Sequence, residues 1–489
     1  MRGQARNDEK TRREPNIVTS SEQTVIVTES SAVAEERSHQ ASLLSLRNKA
    51  LKGTAWTVGS YATAMVLRLG SNIALTRILV PQYFGLMTLL NTTITGLILF
   101  SDLGLTPSVV RSPRGDEPTF LDTAWTMQVM RGTVLWLCCL ILSIPFAAFY
   151  GQPQLKIMVS VIGLSLIISG FNSPSLATLA RHMGVRQLAL SELSVQVVQL
   201  VATIAWALIH RSVWALIGGR LISDVVRLGV SYWLEPRRRP SFHWDKNAAH
   251  ELFAFGRWVF FTTALTFVAS QSDRMILGKL VSLQTLGLYG IAFALADIPR
   301  QVILSFCTNI VFPFVSKLAH LPRAEFFGLV LKYRRNVLLA ASGLLALVVN
   351  TGDLFIVHIY DARYHNAAWI VPILAIGLWH TLLYATTNSC LYAVGKPHYI
   401  AAGYLCTSVA VLVLVPLTFY RWGLVGAVWT VALSDLPMYF VILYGLAREG
   451  MYPFLQDLKM TAVFLIALGV LTTLRFAAGF PFPHAVPLH

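Results

Sequence analysis

The chain has 489 residues, of which 55% are hydrophobic and only 13% charged, and a formal net charge of +15. Its mean hydropathy is +0.59. This balance excludes a soluble enzyme and points to an all-α protein that crosses a membrane many times. The positive charge does not mark a nucleic-acid binder, because the basic residues sit in short loops between apolar segments, where they set orientation in a bilayer.

In chain order, residues 1–40 are polar, rich in Ser, Thr and Glu, and read as a disordered cytoplasmic tail without a removable signal peptide. Ala41 to Lys52 is either a basic amphipathic lead-in on the cytoplasmic surface or a plain helix extension. About thirteen apolar segments then follow that are long enough to span a bilayer. They lie near 53–80, 83–104, 122–149, 155–179, 187–209, 213–234, 251–280, 284–312, 329–350, 366–394, 398–419, 423–447 and 457–478, the last being the least regular. With the N-terminus inside, inward loops hold about three times as many Lys and Arg as outward loops. The longest early basic loop, at 235–250, falls between the sixth and seventh spans. This loop and a second at about 313–328, with Lys317, His320 and Arg323, are either topology determinants or contacts for anionic lipid head groups.

The opening stretch recurs 202 positions later. Trp56 falls on Trp258, Ala62 on Ala264, Leu75 on Leu277, Arg77 on Lys279, Gln82 on Gln284, and Gly85-Leu86 on Gly287-Leu288. The helix–break–helix pattern is in the same register. Internal repeats of this kind build many transporters. The expected architecture is therefore two pseudo-symmetric six-helix lobes around a central cavity. The N-lobe covers 41–234, the C-lobe 251–447, and an extra span with its tail 448–489.

Polar residues at membrane depth are the candidate site. Tyr61, Arg68, Ser71 and Asn72 form one stripe on the first span; Thr262, Thr266, Ser270 and Asp273, with Arg274 adjacent, form another on the seventh. His380, Tyr384, Thr387 and Asn388 form a third on the tenth. Three such stripes imply an aqueous cavity. Arg68 has no acidic neighbour one turn away on its own helix. It meets either an anionic ligand, which a guanidinium binds bidentately, or an acid such as Asp273. Asp273 equally suits a proton or sodium site. Arg131, early in the third span, is a second candidate cavity cation. Asp224 with Arg227, and Asp297 with Arg300, stand one turn apart. Each is either a self-neutralising pair or a gate that exchanges partners. Pro174 and Pro299 sit inside spans and permit kinks.

Cys138, Cys139, Cys307, Cys390 and Cys406 lie in apolar segments without metal or redox spacing, and the chain has no phosphate loop, HExxH or nucleophile elbow. No enzymatic chemistry, metal or cofactor is expected.

The motifs KGTAW (52–56), LTRILVPQYFGL (75–86), SDLG (101–104), LDTAW (121–125), FYGQPQL (149–155) and VWAL (213–216) run in order. QSDRMILG (271–278), LGLY (286–289), Phe312-Pro313 with Ser316, and GLVGAVW (423–429) continue the series. Together they resemble the bacterial polysaccharide transporters, the Wzx-type lipid-linked oligosaccharide flippases of the multidrug/oligosaccharidyl-lipid/polysaccharide exporter superfamily. The resemblance implies two six-helix lobes around a V-shaped cavity in the inner membrane. It also implies transfer of an undecaprenyl-diphosphate-linked oligosaccharide to the periplasmic leaflet, with cationic residues such as Arg68 and Arg274 meeting the diphosphate or acidic sugars. Partners on this reading are the lipid-linked glycan, membrane lipids, a proton or sodium ion, and polysaccharide polymerase or export machinery. Two departures, Arg181 to Arg186 without an aromatic and Ile209 to Ser212 without a glycine-rich turn, bear on the substrate rather than the family. The alternatives are a cation-coupled multidrug antiporter of the same superfamily, a membrane glycosyltransferase or ligase using the same carrier, and a non-transporting scaffold.

Overall fold

The structure, a computed structural model, describes Trp56 and residues 59–483 except 103, 183, 235–238, 313–314 and 316–321. The tail at 1–40, the lead-in at 41–52, Arg237 and Arg238 of the inter-lobe loop, Lys317, His320 and the last six residues lie outside the described residues.

All regular structure among the described residues is helical. Helix α1 (59–78) ends at Leu79-Val80, and α2 (Pro81–Leu99) begins with proline in its first turn, where the missing N–H costs nothing. Then come α3 (Leu105–Arg111), α4 (Pro118–Tyr150), α5 (Leu155–Ile162), α6 (Leu164–Gly170), α7 (Ser175–Arg181), α8 (Val185–Ile209) and α9 (Val213–Trp233). The second half holds α10 (Lys246–Leu280), α11 (Leu283–Ala296), α12 (Ile298–Phe306), α13 (Arg323–Ile359), α14 (Ile370–Ala393), α15 (His398–Leu433), α16 (Leu436–Arg448) and α17 (Phe454–Ala477).

The repeated stretches meet each other. A Cβ built on Gly85 of α2 would fall 2.0 Å from the Leu283 carbonyl oxygen, and one on Gly287 of α11 would fall 1.9 Å from the Pro81 carbonyl oxygen. Shifting the first contact by the repeat of 202 generates the second. The third close approach, Gly290 to Thr88 Oγ1 at 3.0 Å, maps onto itself under the same shift. Helices α2 and α11 therefore cross in parallel around a local two-fold axis. This is the parallel-repeat arrangement that the sequence pattern predicts.

The chain is a multi-pass membrane protein. Six helical stretches are long and apolar enough to cross a bilayer, and up to nine if each of three bent pairs counts as one span. The bends fall partly where proline predicts them: 57° between α6 and α7, before which Pro174 stands, and 43° between α11 and α12, with Pro299 in the first turn of α12. The stretch His398–Arg448 counts as one by this measure but covers two expected spans. Gly423 breaks it with φ 63° and ψ −154°. A Cβ on Gly445 would meet the Tyr399 ring, one on Gly403 would meet Met438, and Thr418 and Thr430 share a hydroxyl hydrogen bond of 2.8 Å, so the chain doubles back at Gly423. Helices α1, α2 and α9 fall short of the apolar measure. They carry Arg68, Asn72, Asn91, Arg220, Asp224 and Arg227.

The final helix is tied to α13 near both ends by buried ion pairs. Near its start Asp457 pairs with Arg334 of α13 at 2.6 Å, and near its end Arg475 pairs with Asp353 of α13 at 2.5 Å, all four side chains being almost fully buried. Trp379 of α14 stacks on Phe464 between them. The two ion pairs lie about 27 Å apart along α17 at 1.5 Å per residue, close to the hydrocarbon thickness.

Loops gather at two ends. At one end Arg114 bonds Asp245 at 3.0 Å and Arg181 bonds Asp116 at 2.9 Å. Asp245 also caps α10, and the Arg114 guanidinium and the Asn247 and Ala248 N–H groups hold its carboxyl below the usual carboxylate range. At the other end Tyr364 donates to the Leu79 carbonyl at 2.8 Å, and Lys279 donates to the Phe149 carbonyl.

Substituting alanine at Gly85 or Gly287 forces the α2–α11 crossing apart and should cost about 1–3 kcal/mol. Melting in detergent should fall for both variants and hold or rise slightly for Gly343→Ala, inside α13, where a Cβ meets nothing within 4 Å.

Candidate functional site

The α1 stripe faces a cavity of about 500 Å³ lined by α1, α2, α8, α9 and α11. Arg68, Asn72, Gly290 and Ala294 also line an adjoining cavity of about 190 Å³, whose far wall holds Arg274, Phe293, Asp297 and Gln301. Arg68, Ser71 and Asn72 of the first stripe and Arg274, beside the second, therefore line this site, while Thr262, Thr266, Ser270 and Asp273 line neither cavity.

The smaller cavity is a cationic corner. Arg68 Nη1 donates to Gln301 Oε1 at 3.0 Å. Gln301 Nε2 donates to Asp297 Oδ2 at 3.0 Å, and Asp297 is bound by Arg300 through contacts of 2.5 and 3.0 Å. Arg274 lies over the Phe293 ring at 4.3 Å and donates to Gln271 Oε1 at 2.7 Å. The acid of this corner is thus neutralised by Arg300. Arg68 and Arg274 face neutral partners, and among the described residues no carboxylate stands within ion-pair distance of either. Each is oriented without a counter-charge at contact distance.

Asp273 does not pair with Arg68. It is buried and accepts the Tyr289 hydroxyl at 2.5 Å, and it does not line either cavity. Asp224 does not bond Arg227: it takes Arg220 Nε at 3.2 Å, while Arg227 forks onto Glu192 of α8 at 2.8 and 2.6 Å. Arg131 is not a cavity residue. Its Nε donates to Ser101 Oγ at 3.0 Å and its Nη2 to the Ile98 carbonyl at 2.7 Å, closing the C-terminal turn of α2. His380, Tyr384 and Asn388 lie away from both cavities, His380 and Tyr384 being buried in the packing of α14. There Asp435 accepts from Thr381 at 2.8 Å and Tyr384 at 3.1 Å, while His380 Nε2 and Asn388 Oδ1 have no hydrogen-bond partner among the described residues.

Sequence reasoning missed Gln301, Asp435 and the cavity-facing side of α8. Glu192, Gln196, Gln199 and Thr203 follow helical spacing, and that signal was present in the sequence. Gln301 carried none, because its role depends on a helix 233 residues away.

A family model described as "Polysaccharide biosynthesis protein" matches residues 74–369. The succinoglycan biosynthesis transport protein ExoT of Rhizobium meliloti is 23% identical over 55% of this chain and 54% of its own length. The teichuronic acid biosynthesis protein TuaB of Bacillus subtilis is 23% identical over 60% of this chain and 61% of its own. The chain thus matches little more than half the length of these curated relatives. Among solved structures, the lipid II flippase MurJ in an inward closed conformation superposes with a TM-score of 0.69 at 12% identity, over 85% of this chain and 91% of that one. At that identity the likeness establishes the fold: two helical lobes about a central cavity.

Arg300→Ala leaves the Asp297 carboxylate buried without its charge partner and should cost about 3–5 kcal/mol, most of it recovered in Arg300→Ala with Asp297→Asn. Gln301→Ala removes two hydrogen bonds, one from Arg68 and one to Asp297, and should cost about 1–3 kcal/mol. Thermal melts of the four detergent-purified proteins, wild type included, check the order.

Proposed function

The chain belongs to the polysaccharide biosynthesis protein family, and on that premise we propose that it flips a lipid-linked oligosaccharide across the bacterial inner membrane. The observation that carries this reading is the pair of guanidiniums, Arg68 and Arg274, lining one cavity with neutral partners. The carrier's diphosphate is an anion that hydrocarbon rejects, since burying an isolated charge there costs tens of kcal/mol by the Born estimate. A cavity that offers two guanidiniums replaces water around the head group, while the polyprenyl tail stays in lipid. The lobes, taken as residues 41–234 and 251–447, open the cavity to each side in turn. The N-terminus lies in the cytoplasm, and the inside-negative potential favours outward passage of the anion.

A drug or cation antiporter would offer its ligand a free carboxylate. Here the cavity acids Glu192 and Asp297 are both held by arginine.

Arg68→Ala should trap the lipid-linked intermediate on the cytoplasmic leaflet and lower polymer export at least about tenfold, the equivalent of one lost charge-assisted hydrogen bond. Leaflet accessibility of the intermediate, in a strain lacking the protein and complemented with wild type or variant, checks this. Normal crossing with a well-inserted variant would mean that another compound is the cargo.

A further inference from the structure

Beyond the arginine corner, the larger cavity runs along one face of α8. Glu192, Gln196, Gln199 and Thr203 line it, joined by Asn72 of α1 and Asn91 of α2. The side chains of Asn72, Asn91 and Gln199 have no hydrogen-bond partner among the described residues. Gln196 uses its Nε2 on the Ala64 carbonyl at 2.8 Å and keeps Oε1 free for another partner. Unpartnered amides at membrane depth are rare unless they face water or a ligand.

This wall is rigid and uncharged overall. A Cβ on Gly219 of α9 would fall 1.9 Å from Thr203 Oγ1, and one on Gly218 would fall 2.5 Å from the Trp206 ring. Helices α8 and α9 therefore pack at a separation that only glycine allows, which holds the amide face in place. Arg227, the guanidinium on this wall, is matched oxygen for nitrogen by Glu192. The wall thus offers amide donors and acceptors without a spare charge. That suits hydroxyl and acetamido groups; it suits neither a second anion nor an apolar compound.

We propose that the α8 face, with Asn72 and Asn91, is a glycan-binding subsite. It takes the neutral sugar groups of the saccharide whose diphosphate meets Arg68 and Arg274. This rests on the transport reading above and adds to it which part of the protein reads the sugar.

The test compares two probes on the purified full-length chain. One is sugar-free undecaprenyl diphosphate; the other is lipid-linked oligosaccharide extracted from the bacterium that encodes the chain. Wild type should prefer the second by about tenfold or more, the worth of one or two hydrogen bonds. Asn91→Leu with Gln199→Leu should abolish that preference and leave sugar-free binding within about twofold. Gln199→Asn, which keeps an amide but shortens its reach, should lose part of the preference and guards against a folding defect in the double variant. Arg68→Ala should weaken both probes alike. A double variant that keeps the wild-type preference overturns the subsite alone. Wild type that binds neither probe overturns the transport reading and the subsite with it.

Discussion

Two backbones that approach to the distance of a missing methyl group hold this molecule together. Gly85 against the Leu283 carbonyl and Gly287 against the Pro81 carbonyl are one contact made twice, and Thr88 with Gly290 sits on the axis between them. Any side chain at the two outer glycines would collide with main-chain oxygen, which has no rotamer by which to move aside. Because α2 follows α1 after a two-residue break, and α12 follows α11 after Asp297, this crossing also fixes where α1 and α12 run. Arg68 and Gln301, 233 residues apart, meet as a result.

The charges inside the protein divide into two kinds. Arg334 with Asp457, Arg475 with Asp353, Arg227 with Glu192 and Arg300 with Asp297 are each matched by a carboxylate on a fixed element. For Arg334–Asp457, Arg475–Asp353 and the buried Asp297, removing the partner strands a charge in a low dielectric, so these act as fasteners, whereas Arg227 and Glu192 meet at the cavity surface and are worth less. Arg68 and Arg274 are of the other kind. The fold surrounds them with an amide oxygen, a backbone carbonyl and an aromatic face. Each is oriented without being neutralised.

The same division explains what could be read from sequence. Helix positions and the repeat follow from local composition and register, and the structure places helices in those stretches, with bends at two of the prolines. Partner choice is tertiary. Asp224 has an arginine four residues before it and another three after it, both within reach on a helix. Which one it takes is decided by Glu192 on α8, which draws Arg227 away. Arg131 looked like a cavity cation because depth was counted along its own helix. The Ile98 carbonyl, Ser101 hydroxyl and Asp102 carboxylate that satisfy it lie at the end of another element. The α14 stripe was real, but a polar face states only that it has polar neighbours. For His380 and Tyr384 these lie in the packing around Asp435 rather than in a cavity.

Gln301 is the residue whose chemistry bears most on turnover under the transport reading. An aspartate at that place would hold Arg68 in a charge-assisted pair, and an arriving diphosphate would have to compete with it. A neutral amide orients the guanidinium for about 1 kcal/mol and releases it for about the same. Asp297, which orients Gln301 in turn, sits at the 43° break between α11 and α12 and is held by Arg300. Arg68 is therefore connected, through two hydrogen bonds, to the joint of a bent helix. The α2–α11 crossing lies at the local axis and is held by backbone-to-backbone contact. The cavity guanidinium and the helix joint thus share one short chain of side chains, and the glycine crossing fixes the helices that carry its two ends.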